Sequence, residues 1–109
     1  MELKQAQELA LELIKHHELH DWRFKFDRSK NRLGSCKHYS KVITLSESIT
    51  KVHSEHEVKD TILHEIAHAL VGPQHKHDAV WRNKAIEIGC NGKRCGEIKD
   101  SHLIGHLYV

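Results

Sequence analysis

Residues 54–73, SEHEVKDTILHEIAHALVGP, decide how the 109-residue chain is read. At the head of the stretch Ser54 and Glu57 stand three apart, where a serine oxygen and a carboxylate each satisfy an open amide of a helix start. Val58, Ile62, Leu63, Ile66, Ala67, Leu70 and Val71 follow at helical intervals until Gly72-Pro73 ends the pattern. They fall on both flanks rather than on one stripe, so this helix is expected at the centre of the fold, covered on two sides. Within it lie His64, Glu65 and His68. Two imidazoles and a carboxylate are costly to bury unless they have partners or a task.

The order His-Glu-x-x-His names a task. His64 and His68 are four apart and project from one face about one turn apart, so both imidazoles reach a single zinc ion at about 2.0–2.1 Å. Glu65 is rotated about 100° from His64, too far round for a third ligand but placed to take a proton from a water on the metal. With twelve histidines in the chain the pattern alone arises readily by chance. Its position in the middle of the most apolar helix, behind a capping box, is what gives it weight.

Working outward, Leu3, Ala6, Ala10, Leu13, Ile14 and His17 recur at helical spacing and predict an amphipathic N-terminal helix. The period then changes: Trp22, Phe24 and Phe26 alternate with Arg23, Lys25 and Asp27, as in a strand with one aromatic face. Residues 33–39 and 41–46 read as two more short strands, and a three-stranded, mostly antiparallel sheet is the simplest assembly. Beyond the central helix Asp78 is placed to cap another, with Trp81, Ala85 and Ile88 on one face and Gly89 at its end. The fold class is α+β: one helix, three strands and two helices in a single domain over residues 1–109.

Composition narrows the setting. No stretch approaches the roughly 20 apolar residues that a bilayer demands, and MELKQAQELALELIKHH lacks the apolar core of a secretory leader. Three cysteines do not make a disulfide framework. A cytosolic protein is expected. Residues 22–51 carry eight Lys/Arg against two Asp/Glu, although the whole chain is only +2. Arg23, Lys25, Arg28, Lys30, Arg32, Lys37 and Lys41 form a run compatible with nucleic acid, and equally with the solvated face of a sheet.

A third metal ligand must come from downstream. A glycine and a histidine three and six residues after His68 would extend one known motif, but Val71 and Gln74 stand there. Glu87, His75 and His77 remain open on spacing alone. Tyr39 and His75 are candidates to stabilise an oxyanion, and nothing in the residues selects between them. Residues 41–46 are the expected sheet edge for an added substrate strand. Cys36 is expected buried and inert, while His16, His17, His20, His38, His53 and His56 read as surface residues.

HEIAHAL followed by His77-Asp78-Ala79-Val80-Trp81 resembles the SprT-like (SprT/Spartan) zinc metalloproteases. In that family a later histidine, followed by Gly-x-x-Phe/Trp, completes the zinc site. Here Asp78 stands where glycine is usual, a change that the related WLM-type proteases accept. Arg32-Leu33-Gly34-Ser35-Cys36 and Ile43-Thr44-Leu45-Ser46 resemble the family's strands more loosely, so the likeness spans roughly residues 1–90. The resemblance implies a zincin-like core, His77 as third ligand beside His64 and His68, one catalytic zinc ion and Glu65 as general base. It further implies endopeptidase action on proteins bound or crosslinked to DNA. The alternative is a non-catalytic zinc-containing module that binds nucleic acid, although a structural site needs no base. Cys90 and Cys95 with His102 and His106 spell C-x4-C-x6-H-x3-H, a spacing that admits a second zinc ion, with ordinary thiols the plainer account.

Overall fold

In a computed structural model that describes residues 1–91, seven elements succeed one another: α1 (Leu3–His16), β1 (Arg23–Asp27), β2 (Gly34–Lys37), β3 (Val42–Ser46), α2 (Glu47–Val52), α3 (Glu55–Val71) and α4 (Ala79–Glu87). The α+β class and the order of the expected elements hold, with α2 as an addition. Ser46 starts α2, its hydroxyl accepting the Ile49 amide at 3.2 Å. Among the described residues no helix is long and apolar enough to cross a membrane.

The three strands lie in the order β1-β3-β2, with β2 antiparallel and β1 parallel to β3. The sheet is therefore mixed rather than mostly antiparallel. Residues 28–33 carry the chain past the end of β3, where the Ser46 amide donates to the Leu33 carbonyl and the Ser46 hydroxyl to the Ser29 carbonyl, each at 2.7 Å. β2 thus begins on the far side, and its hairpin returns β3 into the middle. All five residues of β3 are buried. The expectation that residues 41–46 form the edge is overturned: that strand is paired on both sides, and among the described residues the sheet's edges are β1 and β2, with β2 beside α3.

Register divides the sheet into two faces. Phe24, Phe26, Ile43 and Leu45 share one with Gly34 and Cys36, whereas Arg23, Lys25, Val42, Thr44, Ser35 and Lys37 share the other. The apolar face meets α1 and α3 through a core containing Ala6, Ala10, Ile14, Leu33, Ile43, Leu45, Ile62 and Ile66. The opposite flank of α3, Leu63 and Ala67, packs on Trp81 and Ala85 of α4. Every residue from 61 to 68 is buried as a result, as the two-flanked pattern requires.

The ends of α3 are the expected ones. Ser54 Oγ accepts the Glu57 amide at 3.2 Å while Glu57 Oε1 accepts the Ser54 amide at 3.1 Å. At the other end Gly72 has φ 95, in the left-handed region, and its amide closes the last turn on the His68 carbonyl. A residue with a Cβ is strained in that conformation, which is why glycine ends the helix here.

Candidate metal centre

Three imidazoles converge where α3 meets the loop before α4. His64 and His68 are buried on adjacent turns of α3, and His77 reaches back from the loop. The Nε2 atoms of His64 and His77 are 3.1 Å apart, and those of His68 and His77 are 3.2 Å apart. Nitrogens bound tetrahedrally to zinc at about 2.0–2.1 Å lie about 3.3 Å from one another. The spacing of these atoms therefore fits a single ion, as does the all-imidazole donor set, and the three residues form one ligand cluster.

His77 is held by its neighbours on the α4 side. Asp78 caps α4, with Oδ1 accepting the Trp81 amide at 3.0 Å and Oδ2 paired with His75 Nδ1 at 2.8 Å. These two contacts, the Trp81 amide foremost, hold the Asp78 carboxyl below its ordinary range. Trp81 lies against all three imidazoles, with ring centroids 4.5, 5.2 and 4.8 Å from those of His64, His68 and His77. Its indole N–H donates to the His64 carbonyl at 3.3 Å. The indole is at once the anchor of α4 and a wall of the three-histidine cluster.

Of the other ligand candidates, His75 spends its imidazole on Asp78 and lies outside the cluster. Glu87 is exposed on the last turn of α4 and pairs with Lys84. It stands at the far end of α4, about 12 Å of helix beyond Ala79, and outside the three-histidine cluster.

Glu65 is fully buried between α3 and β2. A Cβ at position 34 would come within 3.4 Å of Glu65 Cγ, so Gly34 gives the carboxylate side chain its room. Cys36 sits on the same strand, half-buried; burial first and the charge of Glu65 second push its thiol upward, which keeps it in the unreactive protonated form. Cys90 is buried against the α3–α4 contact, whereas Cys95, His102 and His106 lie outside the described residues.

Two histidines read as surface residues are structural. His38 Nε2 donates to the His68 carbonyl at 2.8 Å, tying the β2–β3 turn to the turn of α3 that carries His68. His53 is buried and its Nδ1 donates to the Ile49 carbonyl at 2.9 Å. The basic run divides. Arg23 and Lys37 flank Val42 in one row across the outer sheet face, with Lys25 on the same face. Arg28 and Lys30 are exposed in the loop between β1 and β2, and Arg32 there is half-buried. Lys41, in the β2–β3 turn, is paired with Asp21. Tyr39 stands fully exposed in that turn.

The family model described as the SprT-like family matches residues 3–102. Among solved structures, the metallopeptidase zymogen abylysin of Pyrococcus abyssi is 18% identical, with 95% of this chain and 99% of that one covered at a TM-score of 0.70. The metallopeptidase zymogen jannalysin of Methanocaldococcus jannaschii is 16% identical, with 75% and 79% covered at a TM-score of 0.65. No curated protein matches the chain. At these identities the two structures speak for the fold.

Proposed function

Because the chain belongs to the SprT-like family, we propose that it is a zinc-dependent endopeptidase in which His64, His68 and His77 hold the metal and Glu65 is the general base. One observation carries the reading: three imidazole nitrogens spaced for one ion, with a buried carboxylate on the helical turn that supplies two of them. The description of two structural relatives as metallopeptidases agrees with it.

A zinc ion bound there supplies Lewis acidity toward a carbonyl and lowers the pKa of water to about 7. Glu65 then takes a proton from the attacking water and returns it to the leaving amine. Burial excludes competing solvent from that carboxylate. Trp81 and Asp78 hold His77 in place, so the loop ligand is as well positioned as the helical pair. An extended peptide finds its open hydrogen-bonding edge on β2, alongside Glu65, and backbone pairing there gives affinity with little demand on sequence.

The finer reading is action on proteins bound or crosslinked to DNA. Its support is the row of Arg23 and Lys37 with Lys25 beside it on the sheet face away from the apolar core, three cations against the one carboxylate of Asp27 on that face. The reading is tested by metal content and by cleavage of an unstructured protein, with and without single-stranded DNA, for the wild type and Glu65→Gln. Retained zinc with lost cleavage in the variant supports the enzyme; equal cleavage by both refutes Glu65 as the base. A wild type that binds zinc and DNA but cleaves nothing favours the non-catalytic module.

A further inference from the structure

Beside the metal centre, between the β2–β3 turn and the last turn of α3, lies a shallow cavity of about 480 Å³. Trp22, His38, Tyr39 and Lys41 line it from the sheet end and Ala69, Gly72 and Pro73 from the end of α3. Its lining is mainly apolar, and none of these side chains belongs to the three-histidine cluster, although His38 braces the His68 carbonyl.

The position of the cavity is set by helical arithmetic. Glu65 and Ala69 are four apart on one face of α3, and Gly72, the residue that ends the helix, follows three further on the same side. That face lies under β2 at Glu65, next to Gly34, and under the β2–β3 turn at Ala69 and Gly72. The cavity and the general base therefore belong to one seam, about 10 Å apart along the helix axis at 1.5 Å per residue. An extended peptide covers that distance in about three residues.

The wall of the cavity is preformed. His38 is fixed by its bond to the His68 carbonyl at 2.8 Å and by an edge-to-face contact with Trp22 at 5.8 Å. Lys41 closes the turn with φ 56, in the left-handed region, and is held there by its pair with Asp21. Tyr39 projects wholly into solvent at the lip. Its ring buries area only when a second apolar group is laid against it.

We infer that this cavity is a specificity subsite, which takes an aromatic or large aliphatic side chain of the peptide substrate two or three residues from the scissile bond. The inference rests on the peptidase reading and adds a substrate preference to it. β2 runs from Gly34, beside Glu65, toward the turn. A peptide paired antiparallel to it, the more stable arrangement, runs from the turn toward Gly34. The cavity accordingly receives a residue on the amino-terminal side of the cleaved bond. Backbone pairing along β2 supplies general affinity, and this one side chain supplies selectivity.

The test is a cleavage-site profile on a library of unstructured synthetic peptides, followed by kcat/KM for a matched pair carrying Phe or Ala at the selected position. The zinc-loaded wild type is expected to show Phe, Tyr, Trp, Leu or Met enriched at one fixed position and to prefer the Phe peptide by about tenfold or more, as filling an apolar pocket gives. Ala69→Leu, which keeps a good helix former while filling the cavity, lowers the Phe-over-Ala ratio toward unity. Tyr39→Ser, at a residue too exposed to disturb the core, lowers it in the same direction. A wild type that cleaves with a flat profile, or a profile unchanged in both variants, overturns the subsite and leaves the peptidase standing. A folded, zinc-loaded wild type that cleaves nothing overturns both.

Discussion

Gly34→Ala tests the junction on which the site is built, where β2 crosses α3. A Cβ at position 34 would lie 2.6 Å from Thr61 Cγ2, 3.3 Å from the Thr44 carbonyl oxygen and 3.4 Å from Glu65 Cγ. Carbon atoms in comfortable contact are about 3.5–4.0 Å apart, so the first of these is short by about 1 Å. Thr61 is fully buried, and its hydroxyl donates to the Glu57 carbonyl at 3.0 Å, so the methyl has nowhere to turn. Overpacking of this kind costs about 1–3 kcal/mol. For a domain of this size each kcal/mol lowers the melting temperature by about 4–8 °C, so a fall of roughly 5–20 °C is expected. Thr61→Ser removes the opposing methyl, keeps the hydroxyl and by itself costs about 1 kcal/mol. If the clash is the cause, the double variant is less destabilised than the two single losses together, by about 1–2 kcal/mol in a urea-unfolding cycle on zinc-saturated protein. Additivity within about 0.5 kcal/mol would refute the reasoning and place the need for glycine elsewhere. Cleavage gives an independent reading, because displacing β2 from Glu65 lowers kcat even at temperatures where Gly34→Ala is fully folded.

The geometry of the metal centre and of the α3 start sets three further outcomes. His77→Ala is expected to abolish tight zinc binding in a chelator competition, whereas His75→Ala leaves all three ligands and weakens binding far less; the reverse order would move the third ligand to His75. Trp81→Phe loses the indole bond to the His64 carbonyl and part of the packing on the imidazoles, at a cost of about 1–2 kcal/mol by urea unfolding, together with faster zinc release; unchanged release would reduce Trp81 to core filler. Glu57 provides a pH signature. Burial raises its carboxyl, but the backbone and side-chain bonds from Ser54, followed by the charges of His53 and His56, outweigh this and hold it below the ordinary value. A depressed folded value means stability that is present above the ordinary carboxylate range and lost as pH falls from there through the lowered folded value. The melting temperature of the wild type should therefore exceed that of Glu57→Gln near neutrality and converge with it in acid, and a difference that stays constant with pH would contradict the capping-box account.

How much of the molecule is legible in its sequence depends on how far apart the interacting residues are. The centre of the fold is legible because α3 carries its information within one stretch: a capping box, apolar residues on two flanks and a glycine stop are all local signals. The convergence of His64 and His68 is legible for the same reason, since i, i+4 spacing on a helix is itself a geometry. His77 needs the family resemblance, because a loop ligand has no period, and Glu87 and His75 satisfy spacing equally well until Asp78 and Trp81 are seen to fix the loop. The sheet departs from expectation at the point where pairing becomes non-local. The run of Val42, Ile43, Thr44 and Leu45, uninterrupted by charge, is the available sign of a strand buried on both sides, yet sequence adjacency argues for simple hairpins and puts this strand at the edge. His38 is beyond the reach of any sequence pattern: its partner, the His68 carbonyl, is thirty residues away and is a backbone atom, so no side-chain spacing encodes it. That last case joins fold to function. The turn of α3 that carries His68 is held to the sheet by a side chain from the same turn that walls the proposed subsite, so a substrate side chain pressing on His38 bears directly on the backbone carrying His68. Selectivity and metal geometry are then mechanically joined across one hydrogen bond, and substitutions at His38 are expected to change both together, where those at Tyr39 leave that bond to the His68 carbonyl in place.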